Sequence, residues 1–431
     1  MRIRRRLARQ RALIVVAAVV AVLAVTAALP AAAGASTLTY RIVKALKAHG
    51  FAGSTTGVRV YNLSTATSLY ERRSATQFLP ASNEKLVTSS TALADWGADF
   101  RFKTELLTTG TISAKGVYTG QIYLKGFGDP SLTTARLNDF VTALKNATIP
   151  VKKIVGSVVG DDSYFDTARA VSYWKPDMID YCGPLSALAL NEDYRADGRR
   201  ASDPPLFVAS QLSALLRKAG IPVTGKAASG VTPATAQVAY IEKSPPLWRI
   251  LASMNKPSDN FYAEMLTKGL GAQFAGGGTT ARGVTAERAF LVSVGLGAKT
   301  FTLTDGSGLS YYDRLTTLDI TKLLTAMSQR TDWKTFWYSL SVAGVDGTLS
   351  ARMRGTPAKG NLHGKTGTLT DASNLSGYVK SANGDWLDFS LLMNKHDINV
   401  SAAHAAQDAI GVALARSRPG GKVVWAPSPA P

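Results

Sequence analysis

The sequence predicts an α/β (α+β) fold, an antiparallel sheet flanked by helices and interrupted by a large inserted domain. Three observations carry that expectation. Residues 362–369, 376–380 and 386–394 read as consecutive strands, the last two joined across Asn383-Gly384, a strong tight-hairpin signal. A helix opening at Ser401, with Ala402, Ala405, Ile410, Val412 and Leu414 as its apolar surface, can cover one face of that sheet. Finally, 172 residues separate Lys85 from Ser258, far more than a helix and its loops require.

Taken in order, the chain opens with six arginines between Arg2 and Arg11, an uncharged run over residues 12–29, and Pro30 followed by small residues to Ala35. This is the pattern of an export signal. The small residues suit signal peptidase, and the apolar run also reaches the lower limit for spanning a bilayer, so cleavage and anchoring both stand. Residues 56–62 and 68–71 then read as a hairpin around the polar loop 63–67. Residues 85–93 continue from Leu79-Pro80-Ala81-Ser82 as a buried helix. Within the insertion, residues 120–126 and 154–160 look like strands bounded by turn residues. From about Pro245 a helical period returns at Leu247, Ile250, Leu251 and Met254, with a second helix after Asn260. The Pro- and Gly-rich end, 417–431, is expected to be disordered.

A 431-residue chain with 45% hydrophobic content can bury a large core. Its one cysteine, Cys182, excludes an intramolecular disulfide even in an oxidising compartment, and with no histidine near it in sequence it reads as a buried or loop thiol. The formal charge is +19, or +13 without the six leading arginines. No basic-aromatic recognition motif accompanies that charge, which with the export pattern excludes nucleic acid and fits an anionic cell wall. His49, His363, His396 and His404 lack metal-ligand spacing, and no phosphate loop or cofactor motif is present, so no metal or cofactor is expected.

Chemistry is carried by three short motifs in one order: Ser82-Asn83-Glu84-Lys85, Ser258-Asp259-Asn260 and Lys365-Thr366-Gly367. Together they describe an active-serine acyl-transfer site. Ser-x-x-Lys also occurs at Ser172 to Lys175 and Ser253 to Lys256, but there Pro176 and Pro257 follow the lysine, pushing it out of the α region and spoiling the one-turn spacing. At Ser82 no proline intervenes. A serine hydroxyl is a poor nucleophile until a base takes its proton, and Lys85 is the nearest candidate. At its ordinary pKa of about 10.4 a lysine is almost wholly protonated at neutral pH, so burial or a second cation must lower it.

With the motifs ordered this way, and with Asp305-Gly306-Ser307-Gly308-Leu309-Ser310, Ala343-Gly344-Val345-Asp346-Gly347-Thr348 and the extension Thr368-Leu369-Thr370, the chain resembles the penicillin-binding serine D-alanyl-D-alanine peptidases. The likeness is to the low-molecular-mass (class C) carboxypeptidase/endopeptidase branch and covers nearly the whole exported chain. The resemblance implies a penicillin-binding/serine β-lactamase-like transpeptidase domain. It divides the chain into a signal or anchor at 1–35, a catalytic domain at 36–95 and 245–416, and an insertion at 96–244 that can itself be split in two. It also implies the roles of the site residues. Ser82 would be the nucleophile, Ser258 would relay a proton to the leaving group, Asn260 would orient Lys85 and the substrate amide, and Lys365 with Thr366 and Thr368 would bind a terminal carboxylate near Lys85. Backbone N–H groups of Ser82 and Thr368 would form the oxyanion hole, and Gly367 would let the strand approach substrate without a Cβ in the way. Expected partners are peptidoglycan stem peptides, with β-lactams as covalent inhibitors, acting outside the cytoplasm in the wall or at the outer membrane face.

Two rivals stand beside this reading. A serine β-lactamase needs a well-placed glutamate to activate the deacylating water, and Glu264 and Glu287, the glutamates after Ser258, begin no Glu-x-x-x-Asn element. A wall-binding scaffold would keep the fold without catalysis. Glu84 and Glu264 read as surface or structural residues, while Asp305, Ser307 and Asp346 read as shaping loops around the site.

Overall fold

The computed structural model describes residues 37–53 and 55–420, so the expected export segment at 1–35 and residues 421–431 of the expected tail lie outside them. A helix not anticipated from the sequence, α1 (residues 37–48), comes first and buries Leu38, Ile42, Ala45 and Leu46 along one face. The hairpin follows as β1 (Thr56–Asn62) and β2 (Thr67–Arg72), its register shifting between Val60 and Tyr61. A 3-10 turn (Ala81–Glu84) then runs straight into α2 (Lys85–Trp96).

Between α2 and the next helices of the main body lie β3 (Lys103–Thr108), β4 (Thr111–Ile112), β5 (Val117–Thr119), β6 (Ile122–Gly126), α3 (Thr134–Lys145), β7 (Lys153–Val155), β8 (Val158–Asp161), α4 (Pro204–Lys218), β9 (Ala228–Ser229) and β10 (Gln237–Lys243). They build a five-stranded sheet of order β10-β3-β6-β8-β9 and a three-stranded sheet of order β4-β5-β7. The single strand expected over 154–160 is therefore two strands in two sheets. The reason is a close backbone approach at Gly156, where a Cβ would lie 1.8 Å from the carbonyl oxygen of Gly120. Leu137, Phe140, Val141 and Leu144 of α3 recur at helical spacing and share one core with Val208, Leu212 and Leu216 of α4 and Leu106 and Leu124 of the larger sheet.

The main body resumes with α5 (Leu247–Asn255), α6 (Asn260–Phe274), α7 (Thr280–Ser293), α8 (Thr317–Ser328), α9 (Trp333–Ser339), β11 (Ser341–Val342), β12 (His363–Leu369), β13 (Ala372–Lys380), β14 (Trp386–Asn394) and α10 (Val400–Ala415). Its sheet has the order β11-β12-β13-β14-β1-β2, antiparallel throughout. Both faces are covered, so β14 reads as a nearly unbroken buried run. Phe389 and Leu391 pack with α1 and α10, whereas on the alternate face Asp388 accepts from Thr325 of α8 and Leu392 joins the α8 side.

Two local expectations need correction. The Asn383-Gly384 turn sits inside a five-residue connection, because Lys380 and Trp386 are the last paired residues and the Ser381 N–H donates to Asp385 O, with Gly384 at φ 89°. Helix α10 starts at Val400 rather than Ser401, since the Asn399 side chain accepts from Ala402 N and takes the cap. Among the described residues no helix is long and apolar enough to cross a membrane.

Candidate active site

Ser82 projects from the 3-10 turn that precedes α2, and Ala81 before it takes the left-handed conformation at φ 47°. The tight turn places Ser82 and Lys85 on one side, with Lys85 Nζ 3.0 Å from Ser82 Oγ. The same amine donates to Asn260 Oδ1 at 2.6 Å and to the Ser307 carbonyl oxygen at 2.7 Å. Lys85 is fully buried, and burial lowers its pKa to about 8 against the opposing pull of Asp305, Asp259 and Glu264.

A second serine–lysine pair faces the first. Ser258, at φ 67° in the bend between α5 and α6, accepts from Lys365 Nζ at 2.7 Å. Lys365 also donates to Thr366 O, and its pKa is pushed well below the ordinary value, first by burial and then by the charge of Lys85. Asp259 caps α6 by accepting from Tyr262 N, which fixes Asn260 at the first helical position. The Asn260 amide reaches the other way, donating to Tyr181 O. Backbone from the stretch between the sheets and α4 thus braces the motif asparagine.

These groups border a cleft of about 370 Å³ lined by Ser82, Ser258, Asn260, Thr348, Thr366, Thr368 and Thr370, with Met178, Tyr181, Leu309 and Tyr311 as its apolar wall. Lys85 and Lys365 lie behind that lining, each with no exposed surface. Thr366 Oγ1 donates to Thr348 Oγ1 at 2.7 Å, tying β12 to the turn after β11. Thr348 and Leu309 lie in two of the segments singled out in the sequence, whereas Met178, Tyr181 and Tyr311 carried no sequence signal, because separate segments meet only in the folded chain.

Gly367 differs from its expected role. A Cβ there would meet Pro80 O at 2.8 Å and Asn83 Nδ2 at 2.9 Å, so the missing side chain admits the Ser82 turn rather than substrate. Asn83 Nδ2 donates to Lys365 O, and Asn374 Nδ2 donates to Leu79 O and Pro80 O, stapling the turn to β12 and β13. Gly367→Ala should cost about 1–3 kcal/mol in chemical denaturation and slow acylation of Ser82. A variant matching wild type in both would show slack in this contact.

Several other expectations change. Pro176 leaves Lys175 extended (ψ 149°), but Pro257 leaves Lys256 in the α region at φ −65° and ψ −55°. What sets Ser253 and Lys256 aside is that Ser253 is exposed and Lys256 Nζ is held by Leu340 O and Asp346. Of the surface and structural readings of Glu84 and Glu264, burial removes the first and leaves the second, since both are fully buried. Cys182 is buried in an apolar cluster with Leu185, Phe261 and Met265. Asp305 shapes its loop by accepting from Gly308 N and Ser310 N.

A hydroxyl set against a buried amine, faced by a second such pair over an open cleft, defines an active-serine acyl-transfer enzyme. The chain belongs to the D-Ala-D-Ala carboxypeptidase 3 (S13) family, whose model matches residues 38–196 and 187–417, and is accordingly a penicillin-binding, serine-type D-Ala-D-Ala carboxypeptidase. It is 32% identical over 445 residues to the D-alanyl-D-alanine carboxypeptidase of Actinomadura sp. (strain R39), covering 84% of this chain and 81% of that one. Its fold is similar to that of penicillin binding protein 4 (dacB) from Haemophilus influenzae, with a TM-score of 0.76 at 22% identity over 89% of this chain and 99% of that one. The Haemophilus protein has also been solved in complex with a β-lactam. The predatory peptidoglycan endopeptidase Bd3459 of Bdellovibrio bacteriovorus matches with a TM-score of 0.56 at 19% identity, over 86% and 96% of the two chains.

Proposed function

We propose that Ser82 is the nucleophile and Lys85 the general base of a DD-peptidase that removes the terminal D-alanine of peptidoglycan stem peptides and opens D-alanine cross-links. The carrying observation is the set of partners around Lys85 Nζ. Ser307 O and Asn260 Oδ1 are carbonyl oxygens that can only accept, so a neutral amine gives them its two hydrogens and turns its lone pair toward Ser82 Oγ. That is the geometry a base needs before attack. Moving the pKa from 10.5 to about 8 raises the neutral fraction at pH 7 from roughly one in several thousand to roughly one in ten.

Ser82 Oγ then bonds to the carbonyl carbon of the penultimate D-alanine while its proton passes to Lys85. Ser258, held by Lys365, lies in the cleft to hand a proton to the departing amine. The peptide bond breaks and D-alanine, or the longer amine of a cross-link, leaves; water then hydrolyses the ester. Thr366 and Thr368 line the cleft where the substrate carboxylate would sit, with Lys365 behind them as the counter-charge. A carboxylate arriving there raises the proton affinity of Lys365 and so readies it to recharge Ser258. The backbone N–H groups of Ser82 and Thr368 serve as the oxyanion hole in this reading.

β-Lactams acylate the same serine, and the enzyme works outside the cytoplasm, where its basic charge favours an anionic wall. Against a β-lactamase, no glutamate among the described residues lines the cleft, and Glu264 and Glu287 are wholly buried. The test is incubation of the purified enzyme with a stem pentapeptide and with a cross-linked dimer, scoring free D-alanine and monomer. Release of D-alanine that stops after benzylpenicillin supports the reading. A folded enzyme that turns penicillin over rapidly and leaves both peptides intact reverses it in favour of the β-lactamase.

A further inference from the structure

Behind Lys85, five carboxyl groups are buried together with no exposed surface: Glu84, Glu264, Glu287, Asp305 and Asp313. Their hydrogen-bond partners differ, with Asp313 Oδ1 accepting from the N–H and hydroxyl of Thr304 and Glu264 Oε1 from two N–H groups. Asp305 accepts from Gly308 N, Ser310 N and the Trp174 indole at 2.7–2.8 Å, the donor set of an ionised carboxylate. In contrast, both oxygens of Glu84 and one oxygen each of Glu264, Glu287 and Asp313 have no partner. Five buried anions beside one amine would carry a desolvation cost that no contact here offsets.

Hydrogen counting at Glu287 points the same way. Thr88 Oγ1 lies 2.7 Å from the Gly306 carbonyl oxygen, which can only accept, so the single hydroxyl hydrogen of Thr88 goes there. At the 3.0 Å contact between Thr88 Oγ1 and Glu287 Oε1, Thr88 has at most a shared hydrogen to give, and a carboxylic acid at Glu287 supplies one of its own, while Thr267 donates to the same oxygen at 2.8 Å. Next to it, Glu264 Oε1 accepts from the N–H groups of Gly306 and Ser307. Ser307 is the residue whose carbonyl receives Lys85. The loop that aims the lysine is thus fastened at one peptide unit by Glu264 and, through Thr88, by Glu287. Nor is there slack at Gly306, where a Cβ would lie 1.8 Å from Thr267 Oγ1.

We propose that Glu84, Glu264, Glu287 and Asp313 stand as carboxylic acids in the resting enzyme, leaving Asp305 the one carboxylate, and that Glu264 and Glu287 are positioning residues holding residues 305–310 so that the Ser307 carbonyl orients Lys85. This rests on Lys85 acting as the base. Burial holds the protons of Glu264 and Glu287 up to about pH 8, the region where Lys85 itself titrates. Also facing the cluster are Asp259 at the start of α6 and the Cys182 thiol, whose pKa burial raises. Acylation should therefore rise as Lys85 loses its proton and fall again as the acids ionise, because each new anion restores the proton affinity of Lys85, and an ionised Glu287 draws the Thr88 hydrogen away from the Gly306 carbonyl oxygen. Stability follows the sign of a raised acid: it is complete below the unfolded value near 4.5 and declines as pH climbs toward about 8.

The experiment compares wild type, Glu287→Gln and Glu287→Ala by infrared spectroscopy near pH 6.5, and by the pH profile of Ser82 acylation with benzylpenicillin. Glu287→Gln should remove one carboxylic-acid carbonyl band and move the alkaline decline upward. Glu287→Ala should slow acylation about tenfold or more, with Gln restoring most of it. If Glu287→Ala does not fold, the band and pH profile of Glu287→Gln still decide. A Gln variant that removes only carboxylate absorption, or an Ala variant acylated at the wild-type rate, overturns the proposal. Failure of the Lys85 reading looks different: Lys85→Gln would be acylated at nearly the wild-type rate, while the infrared band persisted.

Discussion

Ser82→Ala should eliminate the covalent adduct that benzylpenicillin leaves on wild type, and should lower D-alanine release by about 10³-fold or more, to the residue that binding and oxyanion donors alone sustain. The substitution removes one oxygen at the rim of the cleft. Lys85 keeps Asn260 Oδ1 and Ser307 O, so the fold loses one hydrogen bond, worth about 1 kcal/mol. Intact-mass spectrometry of the two proteins after brief exposure gives the answer directly. An adduct of equal yield on the alanine variant would place the nucleophile elsewhere.

Lys85→Gln should leave Ser82 in place and still slow its acylation by about 10²–10⁴-fold, the range a general base contributes. Glutamine is the discriminating choice because its amide can donate to two of the three acceptors that Lys85 serves, but offers no lone pair basic enough to take the serine proton. The loss should be accompanied by a change of shape. Wild type should accelerate from neutral pH toward about 8, where Lys85 deprotonates, before the alkaline decline sets in, and the variant should show no such rise. The check is the second-order rate of penicillin acylation across pH 5–9. Acylation within about tenfold of wild type, with the rise intact, would move the base to another group such as the Ser258–Lys365 pair.

Much of the main sheet was legible in the sequence because strand period, turn residues and the covering helix are local properties. Residues 386–394 form β14 as read, and the helical period at Leu247, Ile250, Leu251 and Met254 is the buried face of α5. Where reading failed, a longer-range contact had intervened. The stretch 154–160 has the composition of one strand, but the meeting of Gly156 with Gly120 breaks it between two sheets. Residues 37–48 carry a helical period that the neighbouring export pattern obscured.

For the site, residue types and spacing alone carried the chemistry and the local geometry: a serine and a lysine three residues apart in one tight turn, and two further motifs whose side chains meet that pair. Only the tertiary structure decided the state of those groups. A pKa depends on what lies within a few ångströms, and the Ser307 carbonyl that receives Lys85 stands 222 residues away along the chain. The five buried carboxyls come from the 3-10 turn before α2, from α6, from α7 and from the 305–313 loop, segments with nothing in common until the core closes. Glu84 illustrates the difference: in the sequence it reads as a surface or structural acid, and burial among other carboxyls raises its pKa well above the ordinary value.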